Sequence, residues 1–406
     1  MTIVEINTVL HGSTGSIMRQ IALETRKHGH ACYMVVPKGR HNHMGPDHVI
    51  WLGNQVSEDL HILLGMVTGL QGYFSFFATL SLLARLERLR PDVIHLHNLH
   101  NSYINLPLLF RYIKYRRISV LWTLHDCWAF TGHCPHFSMI GCGKWKTGCF
   151  ACPQYRDYPQ SWVDSSRLLW RKKKNWFSDV RMTVVTPSKW LRGLVKQSFL
   201  GNYPVRVINN GIDLSVFKPT FGDFRERYSI PPERKILLGV AAEWNAQKGL
   251  DAFNQLAEQL DRTSYQIVLV GTNEKSEQRL NEAIISIRKT ADRRELAEIY
   301  TAAAVFVNPT WEDTFPTVNM EALACGTPVV TYRTGGSPEI IDGSCGCVVE
   351  RGDLAALLRE CVRICTQKPY TEEDCVRRAG LYDSQRTFRQ YAALYEEICH
   401  DGTAKG

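Results

Sequence analysis

The stretch VFVNPTWEDTFPTVNMEALACGTPVVTYRTGGSPEIID, residues 305–342, decides the fold. Val305–Val307 is a short apolar run that reads as a buried strand. A loop over Asn308–Pro316 follows, and Val318, Leu323 and Ala324 then fall on a helical pattern. Pro328–Tyr332 reads as a second strand. It leads into Gly335 and Gly336 and a helix start predicted at Pro338. Two helix N-termini thus open at strand ends in one segment. Their unpaired amides and partial positive charge suit phosphate oxygens. Asp313 precedes the first helix and Glu321 lies within it, so they can reach different parts of one ligand. An elongated ligand with hydroxyls at its ends and phosphates in the middle fits this layout: a nucleotide-sugar.

Outward from this segment the same alternation continues. In the second half, strands are predicted at Ile236–Val240, Gln266–Val270, Ile284–Ile287 and Cys347–Val349, and helices at Leu354–Cys365 and Ser384–Ile398. In the first half, Thr2–Val9, Cys32–Val36, Val49–Leu52, Val93–Leu96, Val120–Leu124, Met182–Val185 and Val205–Ile208 read as strands separated by helices. Short apolar strands alternating with helices indicate parallel sheets covered on both faces, an α/β protein. At 406 residues the chain holds two domains of about 200 residues each. Asn210-Gly211 is a turn signal, and the boundary is expected near residue 215.

Polar residues at strand ends are suspect, because ligands bind outside the carboxyl ends of strands in open α/β sheets. His11–Ser16 turns from the first strand into a helix, and its glycines serve either a ligand or the turn alone. No Gly-x-Gly-x-x-Gly is present. His95, His97 and Asn98 end one strand and His125-Asp126 another; His95, His97 and His100 also read as simple strand caps. Between them and the basic run Arg167–Lys174 lies a patch, 127–153, with Cys134, Cys142, Cys149 and Cys152. That spacing is compatible with structural zinc, with buried free thiols or with redox chemistry. Four thiolates would leave no open position for catalysis. The basic run reads as a solvated helix face or as an attraction to an anionic leaflet or lipid pyrophosphate. Residues 62–84 carry no charge over 23 positions, which suits a membrane span, a core or groove-lining helix, or a membrane-surface helix.

Asp313-x7-Glu321, with Ala322–Val329 and Gly335-Gly336-x-x-Glu339, resembles the donor-site signature of family 4 glycosyltransferases. Landmarks run from about residue 12 to 342, and include Val185–Trp190, Asn210–Asp213 and Phe217–Pro219. Trp122–Asp126, the cysteine patch and Tyr158-Pro159 are similar to a bacterial subgroup that builds capsular and exopolysaccharides. The resemblance implies the GT-B fold, two Rossmann-like domains facing a central cleft: an acceptor-side domain 1–214, a donor domain 215–383, and a C-terminal helix and tail from 384 crossing back. It implies retaining, metal-independent hexosyl transfer from a nucleoside-diphosphate-sugar, with no cofactor required for catalysis. Glu321 inherits the grip on the donor ribose. Asp313 inherits contact with the sugar, although an aspartate stands where the family usually has glutamate and Glu312 lies beside it. His125 also matches a sugar-contacting position. Lys248 is one of two cations expected on the diphosphate; where the family places the other, an arginine, Val240-Ala241 stand. Gly15, Gly335, Gly336 and the backbone of Phe315, Pro316, Thr317 and Val318 face the donor phosphates, and Arg288 lies where relatives hold the base. Gly12, Ser13, His97 and Asn98 fall on the acceptor side.

Net charge is +8, which favours acidic partners: nucleotide diphosphates, lipid pyrophosphates, anionic membrane or nucleic acid. No nucleic-acid motif accompanies the charge. No signal peptide is evident, and 13 dispersed cysteines suit a reducing cytoplasm rather than a disulfide framework. The expectation is a cytoplasmic enzyme on the inner face of the membrane, acting on a polyprenyl-pyrophosphate-linked glycan. The rivals are a nucleotide-sugar epimerase or phosphorylase of the same fold, and a non-catalytic partner subunit.

Overall fold

The computed structural model describes residues 1–39, 42, 45, 48–100 and 102–403, the last four as backbone. Two units divide the chain: Met1–Asn209 joined by the residues from Gln385 onward, and Asn210–Ser384.

The first unit is built on seven parallel strands: β1 (Thr2–Ile6), β2 (Ala31–Pro37), β3 (Val49–Leu52), β4 (Val93–Leu96), β5 (Ser119–Thr123), β6 (Met182–Thr186) and β7 (Val205–Val207). Their order is β3-β2-β1-β4-β5-β6-β7. Alternate residues feed two cores, as a sheet covered on both faces demands. Val4, Ile6, Ile94, Val120 and Val184 pack on one side. Ile3, Met34, Val93, Leu121 and Val185 pack on the other, under the helix Gly12–Lys27 and the last helix, Ser384–Thr403. Phe388, Tyr391, Leu394, Tyr395 and Ile398 of that last helix are buried there. That helix continues to Thr403, and 404–406 lie outside the described residues.

The second unit carries six parallel strands: β8 (Lys235–Val240), β9 (Tyr265–Val270), β10 (Ile284–Ile287), β11 (Val305–Asn308), β12 (Val329–Tyr332) and β13 (Gly346–Val349). Their order is β10-β9-β8-β11-β12-β13. The chain thus leaves β8 in one direction and returns beside it to continue in the other.

Three local expectations change. The first strand stops at Ile6, not Val9, because the Asn7 side chain takes over the backbone: its Oδ1 accepts from Thr8 N at 2.9 Å and its Nδ2 donates to Val9 O at 3.0 Å. The uncharged stretch 62–84 is not one helix. Gly69 and Gly72, both at positive φ, separate Gln55–Thr68 from Phe76–Leu89. No helix among the described residues is long and apolar enough to cross a membrane. The basic run is not a uniformly solvated face either. Lys173 is fully buried in the helix Ser166–Phe177, between Leu169 and Phe177 at spacings of four.

Candidate functional site

In an open α/β sheet the crevice lies where neighbouring strands send their connections in opposite directions. In the second unit that point falls between β8 and β11, and of the predicted donor residues Lys248, Asp313, Phe315–Val318, Glu321 and the glycine pair lie on the connections there. Asn245 caps the turn after β8, its side chain accepting from Lys248 N at 3.0 Å. The loop is then stapled to the one after β11: Trp311 N donates to Gln247 O at 2.7 Å and Thr310 Oγ1 to the same oxygen at 3.2 Å. Gly249, at φ +80°, lets the chain pass Pro309, whose carbonyl oxygen would lie 2.4 Å from a Cβ. The consequence is a Lys248 Nζ–Asp313 Oδ2 ion pair of 2.8 Å. Glu312 is buried and turned toward Gln247, so Asp313 is the acid presented beside the lysine.

The glycine pair docks on the same loop. Gly335 has φ +52°, and a Cβ there would stand 1.7 Å from Asp313 O. Only glycine permits that backbone-to-backbone approach. Phe315 buries its ring against Tyr382, at 5.7 Å between centroids, and offers a ligand only backbone; Asn210 Nδ2 holds its carbonyl at 3.0 Å. The helix Thr317–Ala324 follows, with Pro316 at its N-cap and no side-chain cap among the described residues. The second helix, Ser337–Ile340, is a single turn. Buried polar atoms Asn319 Nδ2, Thr334 Oγ1 and Ser337 Oγ have no hydrogen-bond partner among the described residues.

Glu321 is held by Tyr300, whose hydroxyl donates to Oε2 at 3.1 Å. Burial raises its carboxyl above the ordinary range, while Tyr300, the Arg293 charge and Thr317 pull it back. Sequence reading missed Tyr300, which packs in the core as an ordinary aromatic. Arg288 stands apart from this group. It follows β10, the edge strand, and is gripped by Glu277 at 2.6 Å.

In the first unit the corresponding point lies between β1 and β4. Gly12 and Ser13 open the helix after β1, and Gly15 packs so tightly that a Cβ would meet Leu10 C at 2.3 Å. Asn98 N donates to Asn7 Oδ1 at 3.3 Å. His97 Nδ1 meets His125 Nε2 at 3.0 Å, with the rings stacked. Behind them sits Glu5, Oε2 at 3.2 Å from His97 Nε2, with Cys32 Sγ donating to Oε1 at 3.3 Å. Burial pushes Glu5 up to about 8 and His125 down to about 4, so near neutrality the chain runs Glu5 O–H to His97, and His97 N–H to His125. His97 is likewise held neutral by burial. Ligating atoms of Glu5, His95 and His97 lie within 4.8 Å of one another. They do not make a metal site, because both His95 nitrogens are spent on Tyr395 OH (2.6 Å) and Thr123 Oγ1 (2.8 Å). Glu5 was missed in the sequence, although a carboxylate between Val4 and Ile6 was the signal.

Beside these loops is a cavity of about 330 Å³ lined in part by Thr8, Val9, Ile62, Met66, Gln71 and Tyr158. Part of the uncharged stretch therefore lines a groove. His100 connects to its edge, bridging Tyr158 OH and Asp126 Oδ2 at 2.9 Å each.

Comparison with known proteins fixes the class. Sucrose-phosphate synthase of Thermosynechococcus elongatus superposes with a TM-score of 0.73 at 18% identity, covering 98% of this chain and 99% of that one. HepE of Anabaena, solved with UDP and glucose, gives 0.68 at 14% identity, covering 98% and 100%. The protein has the GT-B fold. Residues 14–216 match the family described as Glycosyltransferase Family 4, and 234–367 that described as Glycosyl transferases group 1. The chain belongs to glycosyltransferase family 4. It is 26% identical over 323 residues to the putative colanic acid biosynthesis glycosyl transferase WcaC of Escherichia coli K12, spanning 76% of this chain and 77% of that protein. It is 31% identical over 181 residues to a D-inositol 3-phosphate glycosyltransferase of Streptomyces bingchenggensis, spanning 39% and 40%.

Proposed function

We propose that this glycosyltransferase moves a hexose from a nucleoside-diphosphate-sugar to a lipid-linked glycan of a bacterial surface polysaccharide, on the cytoplasmic face of the membrane and with retention of configuration. The observation that carries the reading is the Lys248–Asp313 pair at the β8/β11 switch point, beside amides that no side chain caps and one turn from Glu321. The likeness to WcaC over three quarters of the chain supports the pathway class, and the UDP complex of HepE supports the donor class.

In this reading Glu321 accepts hydrogen bonds from the ribose hydroxyls, and Tyr300 fixes its orientation. The diphosphate lies over the Phe315–Val318 backbone and against Gly335 and Gly336, and Lys248 neutralises it as a point charge. Diphosphate entry draws Lys248 from Asp313, freeing the carboxylate for sugar hydroxyls. The acceptor oxygen then bonds the anomeric carbon as the bond to the leaving phosphate breaks. That phosphate takes the acceptor proton on the same face, so His125 orients the sugar and need not act as a base. Gly12, Ser13 and the 330 Å³ cavity receive the acceptor.

Melting temperature measured across a panel of nucleotide-sugars tests the proposal. One donor raises it, and Glu321→Ala weakens that donor's binding about 10- to 100-fold, as loss of hydrogen bonds to a charged group does. Near-normal donor affinity in that variant would refute its role. A shift with transfer to no acceptor, or no shift at all, would instead favour an epimerase or a non-catalytic subunit.

A further inference from the structure

The cysteine-rich segment between β5 and the helix Ser166–Phe177 takes no part in the transfer described above. It runs about forty residues with only two short turns of 3-10 helix, Trp128–Phe130 and Lys144–Lys146. What it buries is mostly aromatic: Phe130, Phe137 and Trp145 cluster with ring centroids 5.1–6.4 Å apart. Beside that cluster Cys134, Cys142, Cys149 and Cys152 line one cavity of about 10 Å³, room for a single small occupant. Four cysteines from across the sequence 134–152 thus face one cavity.

Backbone and side chains around the four are arranged as a thiolate centre requires. Gly132 N donates to Cys149 Sγ at 3.1 Å, and a Cβ on Gly132 would stand 2.7 Å from Cys149 Cβ. Ala151 takes φ +43°, which turns Cys149–Cys152 into a tight knuckle. Lys144 Nζ clamps that knuckle, donating to Phe150 O at 3.1 Å and Ala151 O at 2.9 Å. Cys152 N is tied to Asp164 Oδ2 at 2.8 Å. Beneath lies Lys173, fully buried, donating to Trp128 O at 2.7 Å and Thr131 O at 3.1 Å and sitting 3.2 Å over the Trp128 ring.

We propose that Cys134, Cys142, Cys149 and Cys152 bind one zinc ion as a structural tetrathiolate centre. Four thiols release their protons to water as they ligate the divalent ion, leaving a doubly negative centre that Lys173 and Lys144 offset. Zinc suits the set because soft thiolates in a tetrahedron select it over hard-ligand metals. Cys134 and Cys152 already hydrogen-bond each other. No three of the sulfurs lie within 4.8 Å of one another, so closure draws in Cys142 and Cys149, both only partly buried. Without the ion this long irregular segment rests on its aromatic cluster and on the hydrogen bonds of Lys144, Lys173 and Asp164. With it, the segment gains a cross-link at its centre.

The test is metal analysis of the tag-free, full-length chain produced in zinc-supplemented medium. The expected content is about one zinc per chain, and replacement by Co²⁺ gives intense sulfur-to-cobalt charge-transfer absorption. Cys149→Ala with Cys152→Ala should lower zinc at least tenfold and lower the melting temperature, whereas Cys347→Ser, on β13, should keep it. If the double variant does not fold, cobalt spectra of the unaltered chain decide alone. Less than a tenth of a zinc per folded unaltered chain overturns the proposal, as does iron with acid-labile sulfide, or full zinc in a folded double variant. Metal content is read without any transfer assay, so the outcome is independent of the proposed donor and acceptor.

Discussion

The chemistry of single residues here is governed by what surrounds them more than by their type. Glu321 and Glu5 are both carboxyls raised by burial; Tyr300, the Arg293 charge and Thr317 pull the first back, and Cys32 and the Arg26 charge the second. Glu5 is fully buried, and the groups facing it are Cys32 on β2, His95 and His97 on β4, Tyr395 on the last helix and Arg26 on the first. Its folded value is about 8 against an ordinary 4.5. Stability from its protonated form is therefore complete below about 4.5 and is gone once pH has risen past about 8. Between pH 6 and 8 the unaltered chain should lose about 2–3 kcal/mol through this group. Glu5→Gln, whose amide still donates to His97, should flatten that part of the curve; chemical denaturation at several pH values reads the difference. An equally steep slope in the variant would remove Glu5 as its source.

Elements were legible where their residues alternate and obscure where they do not. Val305–Asn308 and Val329–Tyr332 are strands because short apolar runs bounded by turn residues have few other ways to be buried. The uncharged stretch misleads for the opposite reason: it lacks charge, but Gly69 and Gly72 break it, and only half of it packs. Phe76, Phe77 and Leu80 remain exposed, Phe77 at 84%, about two and three turns before Arg85 and Arg88. An apolar edge backed by arginines suits the boundary of an anionic leaflet. Phe76→Asp with Phe77→Asp should therefore cut sedimentation with anionic vesicles at least fivefold while leaving the melting temperature near that of the unaltered chain. Undiminished vesicle binding would place membrane contact elsewhere or nowhere.

At the scale of the molecule, the two units differ in how they are completed. Asn210–Ser384 is one continuous piece with its own two cores. The other unit needs the last helix, because Phe388, Tyr391 and Tyr395 cover the face that carries Glu5 and His95. Residues 210–384 expressed alone should thus fold cooperatively and keep donor binding. Residues 1–209 alone should expose an apolar face and a buried acid, and either aggregate or melt well below the whole chain. Calorimetry of both fragments checks this, and a stable 1–209 would show that the helix covers less than its burial suggests.

The sequence by itself determined the two-fold repeat of strand and helix, which follows from periodicity and turn chemistry acting over a few residues and written locally. The grouping of Lys248, Asp313, Glu321 and the glycine pair came instead from the resemblance to family 4. Only the tertiary structure decided which acid of Glu312 and Asp313 is presented, that Tyr300 holds Glu321, and that Arg288 answers to Glu277. It also decided that Lys173, one cation in a basic run, is buried, and that Glu5 joins two histidines ninety residues away. Each of these depends on which strands become neighbours and which face a helix covers. Burial then sets protonation and pairing, and burial belongs to no single segment of the chain.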